Sequence, residues 1–333
     1  MKAVRLHAYG DPDVLRVDEI EAPVPGPRDV RVRVCATSVN PVDWKIRSGG
    51  QRNVIRYKLP WILGLDVSGV VEAVGARVTR FKVGDEVWSS PTHRRPGTYA
   101  EQVCIDEREV ALKPKNLSHD EAACLPLVGL TAYQCVVEKG RLQAGQTILV
   151  HAGAGGVGSF AIQLARHLKA RVITTCSAKN ADFVRGLGAD QVIDYTKEKF
   201  EDAGPVDLVL DSLGEGALPR NLAVLRPGGR LSNITLDLPR HVERYGPLLS
   251  LFTISATIVW LHLWPLLRKG VRSRHVIKRC DGEQLQLITA LVEQGAIKPV
   301  IDRVLPLDEI RAAHRHSEGH HARGKIILHV ADR

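Results

Sequence analysis

Gly153-Ala154-Gly155-Gly156-Val157-Gly158 fits G-x-G-x-x-G, and it stands between the apolar run "TILVHA" and a helical pattern over 157–168. A strand that turns through glycines into a helix holds a pyrophosphate on free amide N–H groups and on the positive end of the helix dipole. In such a turn Gly153 permits the tight bend and Gly155 lets the backbone approach the phosphates. Gly158 lets helix and strand pack closely. Gly156 and Val157 open the helix between them. The end of the next strand selects the nucleotide. A carboxylate there would bind the ribose 2′-hydroxyl of NAD, but this chain reads "TTCSAKN", with Ser177 and Lys179. A hydroxyl and an ammonium suit a 2′-phosphate, which a carboxylate would repel. Tyr195, after the third strand, adds a hydroxyl, so the expected cofactor is NADPH.

Far upstream, "SVNPVDWK" sets an amide, a carboxylate and an ammonium close together as Asn40, Asp43 and Lys45. Asn40 can donate an N–H to an oxygen that gains negative charge, and Lys45 can supply positive charge or a proton. Asp43 reads either as a third member of this group or as a turn cap. No metal site is expected. The cysteines at 35, 104, 124, 135, 176 and 280 form no C-x-x-C pair, and His314, His316, His320 and His321 are irregularly spaced among arginines.

Positioning these residues requires two kinds of architecture. Up to about residue 120 short β-rich pieces such as "VRVRVCATSV" and "VSGVVEAVG" are punctuated by turns, the pattern of an irregular barrel. Beyond it, strands ("TILVHA", "ARVITTC", "DQVIDY", "VDLVLDS", "GRLSNI") alternate with helices, which implies a doubly wound parallel sheet. The tail continues no such alternation. The expected domains are therefore 1–122 with 283–333, and 123–282.

Composition narrows the class of function. The 333 residues are 44% hydrophobic and 25% charged, with a formal charge of +9. The cations are scattered, with no basic run interleaved with aromatics, so nucleic acid is not expected as the main partner. Buried, reduced thiols and a first segment without a signal-like apolar core point to the cytoplasm. The stretch Pro247 to Leu267 is long and nearly uncharged. Ser250, Thr253, Ser255 and Thr257 interrupt it, and its β-branched residues favour a buried strand, ligand wall or subunit interface over a membrane span.

"GQTILVHAGAGGVGSFAIQLAR", "APVPGPRDVRVRVCATSVNPVDWKIRSG", "LGLDVSGVVEAVG", "VGDEVW", "GTYAEQV", "LPLVGLTAY" and "RGKIILHV" occur in this order along the whole chain. The chain thereby resembles the zinc-independent quinone oxidoreductases (zeta-crystallin-like) of the medium-chain dehydrogenase/reductase superfamily. That resemblance implies a GroES-like barrel domain, a Rossmann domain and a nicotinamide cofactor in the cleft between them. Zinc-dependent members carry Cys where this chain has Asn40, and His-Glu where it has Leu65-Asp66. Leucine cannot ligate, so hydride delivery to an electron-poor acceptor, a quinone or an α,β-unsaturated carbonyl, is implied. By the same resemblance Asn40 lies beside the nicotinamide and Thr131 meets it. The lysine at 45 is similar to that of plant enone reductases, where many quinone reductases have Tyr, which leans toward enones or alkenals. The C-terminal part resembles the reticulon-interacting mitochondrial quinone reductases. A homodimer is implied, pairing through a strand within 251–261. The rival readings are an alcohol dehydrogenase-like carbonyl reductase and an NADPH-binding structural or regulatory protein of the crystallin type.

Overall fold

The alternation in "DVRVRV" becomes β1, Asp29–Val39, whose Val30, Val32 and Val34 are fully buried while Arg31 and Arg33 lean outward. The computed structural model describes residues 1–52, 56–235, 238–320 and 322–332, with the side chains of 238–245 and 247–251 outside that set. The chain divides into two compact units, Met1–Leu130 with Arg279–Arg333, and Thr131–Lys278.

In the first unit β1 runs antiparallel to three strands. These are β2 (Val67–Val74), the strand Gln102–Asp106 and the closing strand Lys325–His329. Register shifts at Arg31/Val32 and Val34/Ala36 bend β1, so one end serves the barrel and the other pairs with the C-terminal strand. The tail thus folds back on the first unit, as its lack of βαβ pattern implies. Val30, Val32, Val34, Val67, Val71 and Val103 fill the barrel core. Immediately after β1 comes the short helix α1, Pro41–Arg47, with proline at its first position, where no N–H is needed.

The second unit is a six-stranded parallel sheet. Its strands are β3 (Thr147–Val150), β4 (Arg171–Cys176), β5 (Gln191–Asp194), β6 (Val206–Asp211), β7 (Leu225–Asn233) and β8 (Arg272–His275), in the spatial order β5-β4-β3-β6-β7-β8. The order reverses between β3 and β6, the topological switch point where doubly wound sheets bind ligands beyond the strands' carboxyl ends. Helix α2, Gly156–His167, follows β3 there.

One expectation is overturned. The segment 251–261 is not an interface strand but part of helix α3, Leu238–Lys269, bent at Gly246 (φ 74°). Its β-branched residues recur at helical spacing: Ile254, Thr257 and Ile258 turn partly inward in line with buried Leu261 and Pro265. Phe252, Val259, Trp260, Leu263, Leu266 and Leu267 stay exposed on the other face. A period of three and four outweighs a β-branched composition, because burying one stripe of a helix satisfies it. Among the described residues no helix is long and apolar enough to cross a membrane.

Candidate active site

The glycine turn divides into packed and open positions. A Cβ on Gly153 would stand 2.1 Å from Thr174 Oγ1, and one on Gly158 would stand 2.3 Å from the Ala152 carbonyl oxygen. Both glycines let β3, β4 and α2 close on one another. A Cβ on Gly155 would meet nothing nearer than 3.4 Å, and Gly155, Gly156 and Val157 remain partly exposed between buried neighbours. Gly155 also caps α2, with no side-chain cap and no acidic residue in the first turn. The first amides of a helix have no intrahelical acceptor, so this turn offers N–H groups, a positive dipole end and room for an anion.

The carboxyl ends of β4 and β5 lie side by side, with Cys176 opposite Asp194 in register. Ser177 follows β4 and caps a short 3-10 turn that holds exposed Lys179. Tyr195 follows β5; its backbone N–H donates to the Cys176 carbonyl, and its ring is 63% exposed. Two carboxylates stand near: Glu198 accepts from the Asp194 backbone N–H (3.1 Å), and Asp194 itself ends the strand. Asp194 accepts from the Thr196 hydroxyl (2.8 Å) and amide (3.1 Å), which hold its pKa below the ordinary value. That carboxylate closes its own turn and also meets the Ala178 amide beside Ser177, while Lys179 and Tyr195 are exposed at the two strand ends. The open glycine turn fits the pyrophosphate of a dinucleotide.

In the first unit Asn40, at the junction of β1 and α1, is 1% exposed and hydrogen-bonded on both sides of its amide. Its Nδ2 donates to Asp66 Oδ2 (2.7 Å), and its Oδ1 accepts from Lys325 Nζ (2.5 Å). Ser38 Oγ and Lys325 Nζ also donate to Asp66 Oδ2, at 2.7 and 3.2 Å, and the Leu127 amide donates to Oδ1 at 2.6 Å. Asp43 accepts from the Asn40 backbone N–H (2.8 Å) and from the Tyr99 hydroxyl (3.0 Å). Burial pushes its carboxyl up to about 6, against those hydrogen bonds and the attraction of Lys325. Asp43 thus fixes the start of α1 and the backbone of Asn40. Lys45 joins neither residue: it is half-buried, with its Nζ 5.7 Å from the Trp44 ring centroid.

Residues 26–115 match the alcohol dehydrogenase GroES-like domain family, and residues 187–328 match the zinc-binding dehydrogenase family. The chain is 34% identical to the mitochondrial NAD(P)H oxidoreductase RTN4IP1 of Danio rerio, over 100% of this chain and 92% of that protein. It is 36% identical to the 2-methylene-furan-3-one reductase of Solanum lycopersicum, over 99% of this chain and 79% of the other. The quinone oxidoreductase of Coxiella burnetii superposes with a TM-score of 0.85 at 32% identity, over 99% of each chain. The chain belongs to the quinone oxidoreductase family of medium-chain dehydrogenases/reductases. It is an oxidoreductase that works with a nicotinamide cofactor.

Seen as a member of that family, the chain holds its expected site residues in two groups. Gly153, Gly155, Gly156, Val157, Gly158, Ser177, Lys179 and Tyr195 all gather at the carboxyl edge of the second unit's sheet. Thr131 is buried at the head of that unit, in the helix Pro126–Tyr133. Asn40 and Asp43 share one buried network in the first unit, with Lys45 on the same helix but outside that network. Sequence reading missed Asp66, Lys325 and Tyr99. Asp66 stands beside a leucine that cannot ligate, and Lys325 heads the closing strand, so neither matches a catalytic motif. The available signal was charge: a lysine heading the apolar strand "KIILHV" and an aspartate in "LGLDVSGVV" both sit in runs that fold inward. Asp43, read at first as a member of the reacting group or as a turn cap, is buried and positions Asn40.

Proposed function

We propose that the protein is an NADPH-dependent, zinc-independent reductase of conjugated carbonyl compounds, quinones or α,β-unsaturated ketones and aldehydes. The observation that carries the cofactor half is the open glycine turn of α2. It has no acid in its first turn, and a lysine rather than a carboxylate follows the next strand. The names of the relatives support the acceptor half. A quinone contains the same C=C–C=O unit as an enone, so one site chemistry serves both.

The reduced nicotinamide, when bound, supplies a hydride. On an enone the carbon β to the carbonyl receives it, negative charge moves to the carbonyl oxygen, and a proton on the α carbon completes the reduction. This chain must orient the acceptor and stabilise that oxygen. Asn40 Nδ2 carries two hydrogens, one of which is bound to Asp66, and the second is the donor for the oxygen. Lys45, half-exposed on α1, supplies positive charge or the proton. Zinc is not part of this reading, because Leu65 presents a buried apolar side chain and the Asn40 amide oxygen, the atom that would ligate, already accepts from the Lys325 ammonium.

The test is a panel of quinones, enones, alkenals and saturated aldehydes, followed by loss of nicotinamide absorbance with NADPH and with NADH. Turnover of the conjugated acceptors, with NADPH preferred, is expected. Turnover confined to saturated aldehydes would favour a carbonyl reductase, and no turnover at all a binding or structural role.

A further inference from the structure

The closing strand brings an ammonium, and the loop before β2 a carboxylate, to the same buried amide. Lys325 is 4% exposed and Asp66 is fully buried, although they stand far apart in the chain. The three hydrogens of Lys325 Nζ meet three oxygens: Val39 O at 3.1 Å, Asn40 Oδ1 at 2.5 Å and Asp66 Oδ2 at 3.2 Å. A lysine has no further hydrogen to give, so this one donates nothing to a ligand. Asp66 is equally committed, with three donors on one oxygen and the Leu127 amide on the other.

We propose that Lys325 and Asp66 are positioning residues: their buried ion pair fixes the direction in which Asn40 presents its remaining amide hydrogen. The cation touches the amide oxygen and the anion touches the amide nitrogen. Turning the amide over would set N–H against ammonium and C=O against carboxylate, two repulsions strengthened by low local dielectric. One orientation of the donor is therefore enforced. This rests on the reading of Asn40 as donor to the acceptor's carbonyl oxygen.

A purely structural role explains the pair poorly. The closing strand is already held by backbone pairing to β1 and, in parallel, to the strand Ile301–Pro306. A buried ion pair is an inefficient staple, because the desolvation of two charges offsets most of their attraction. Apolar residues of similar volume often stabilise as well or better. An amide that must point one way is a better reason for bringing both charges inside.

The experiment compares Asn40→Ala, the charge-neutral double variant Asp66→Asn/Lys325→Gln and the triple variant that combines them. Each is measured for melting temperature, NADPH affinity, kcat and KM with one enone. The double variant is expected to melt and to bind NADPH like the parent and to keep KM within about twofold. Its kcat should fall about 10- to 100-fold, less than the loss of an oxyanion donor outright. In the triple variant the double substitution should add nothing to the effect of Asn40→Ala, since the donor it orients is gone. An Asn40→Ala enzyme with parental kcat would remove the reading of Asn40 itself. A slow Asn40→Ala enzyme beside a double variant of parental kcat would overturn only the positioning role. Effects that multiply in the triple variant, or a double variant that does not fold, would overturn it as well.

Discussion

Asp43 shows at the scale of one residue how burial couples the site to pH. Its carboxyl has an ordinary value of 3.8 and is pushed up to about 6 in the fold, chiefly by desolvation. Between those values the folded chain binds more protons than the unfolded chain, so Asp43 makes stability fall as pH rises from about 4 to about 6. The full effect is at most about 3 kcal/mol, two pKa units at 1.36 kcal/mol each. Asp43→Asn cannot titrate, and its amide can still accept from Asn40 and Tyr99. Its melting temperature relative to the parent should therefore rise between pH 4 and pH 7, measured by calorimetry across that range; a pH-independent difference would show that Asp43 is not the titrating group. At the cofactor end, Lys179→Glu should weaken NADPH by at least about tenfold, or 1.4 kcal/mol, and leave NADH nearly unchanged. Equal losses for both, in a titration of nicotinamide fluorescence, would refute the 2′-phosphate assignment. The place of Lys179 and Ser177 at the end of β4 was legible in the sequence because it follows from counting strands. Asp66 and Lys325 were not, because the contact between them depends on how β1, β2 and the closing strand register, which local pattern does not reveal.

Among the elements, the glycine turn and α3 make opposite points. The turn was readable because each glycine answers a local requirement, and the structure separates those requirements. Gly158→Ala places a methyl within 2.3 Å of a backbone oxygen, and overpacking of that kind typically costs 1–3 kcal/mol or more. It should lower both the melting temperature and cofactor affinity. Gly155→Ala meets nothing nearer than 3.4 Å and keeps an ordinary φ of −81°. It should melt close to the parent but bind NADPH at least about tenfold more weakly, because its methyl occupies the space left for phosphate. A Gly155→Ala protein with parental affinity would show that the phosphates do not lie there. In α3 composition misled, since Thr, Ile and Val favour strands on average while their three-and-four spacing here suits a helix whose inner stripe packs against its sheet. The barrel strands read well because period-two burial is visible in "VRVRV", but the register shifts in β1 were not, since a bulge carries no strong sequence mark.

For the molecule as a whole, the class of fold was written in the change from β-rich pieces to alternating strands and helices. The position of that change was less sharply marked: the chain passes from one unit to the other at 130/131, inside the helix Pro126–Tyr133, and at 278/279, a few residues before the helix Gly282–Glu293. Burial raises the thiols of Cys124 to about 12 and of Cys104 to about 11 and pushes those of Cys35, Cys135 and Cys176 up as well, so these five behave as packing groups rather than nucleophiles. The two groups of candidate residues belong to different units; on the proposed reading one would hold the dinucleotide and the other would orient an oxygen, the division of labour a hydride transfer needs. The most direct measurement of that claim uses NADPH carrying deuterium at the transferable position of C4 and an enone acceptor, with the product examined by NMR and mass spectrometry. One deuterium is expected on the carbon β to an intact carbonyl; deuterium on the carbinol carbon of an allylic alcohol, or a reduced product without deuterium, would contradict the proposed hydride transfer.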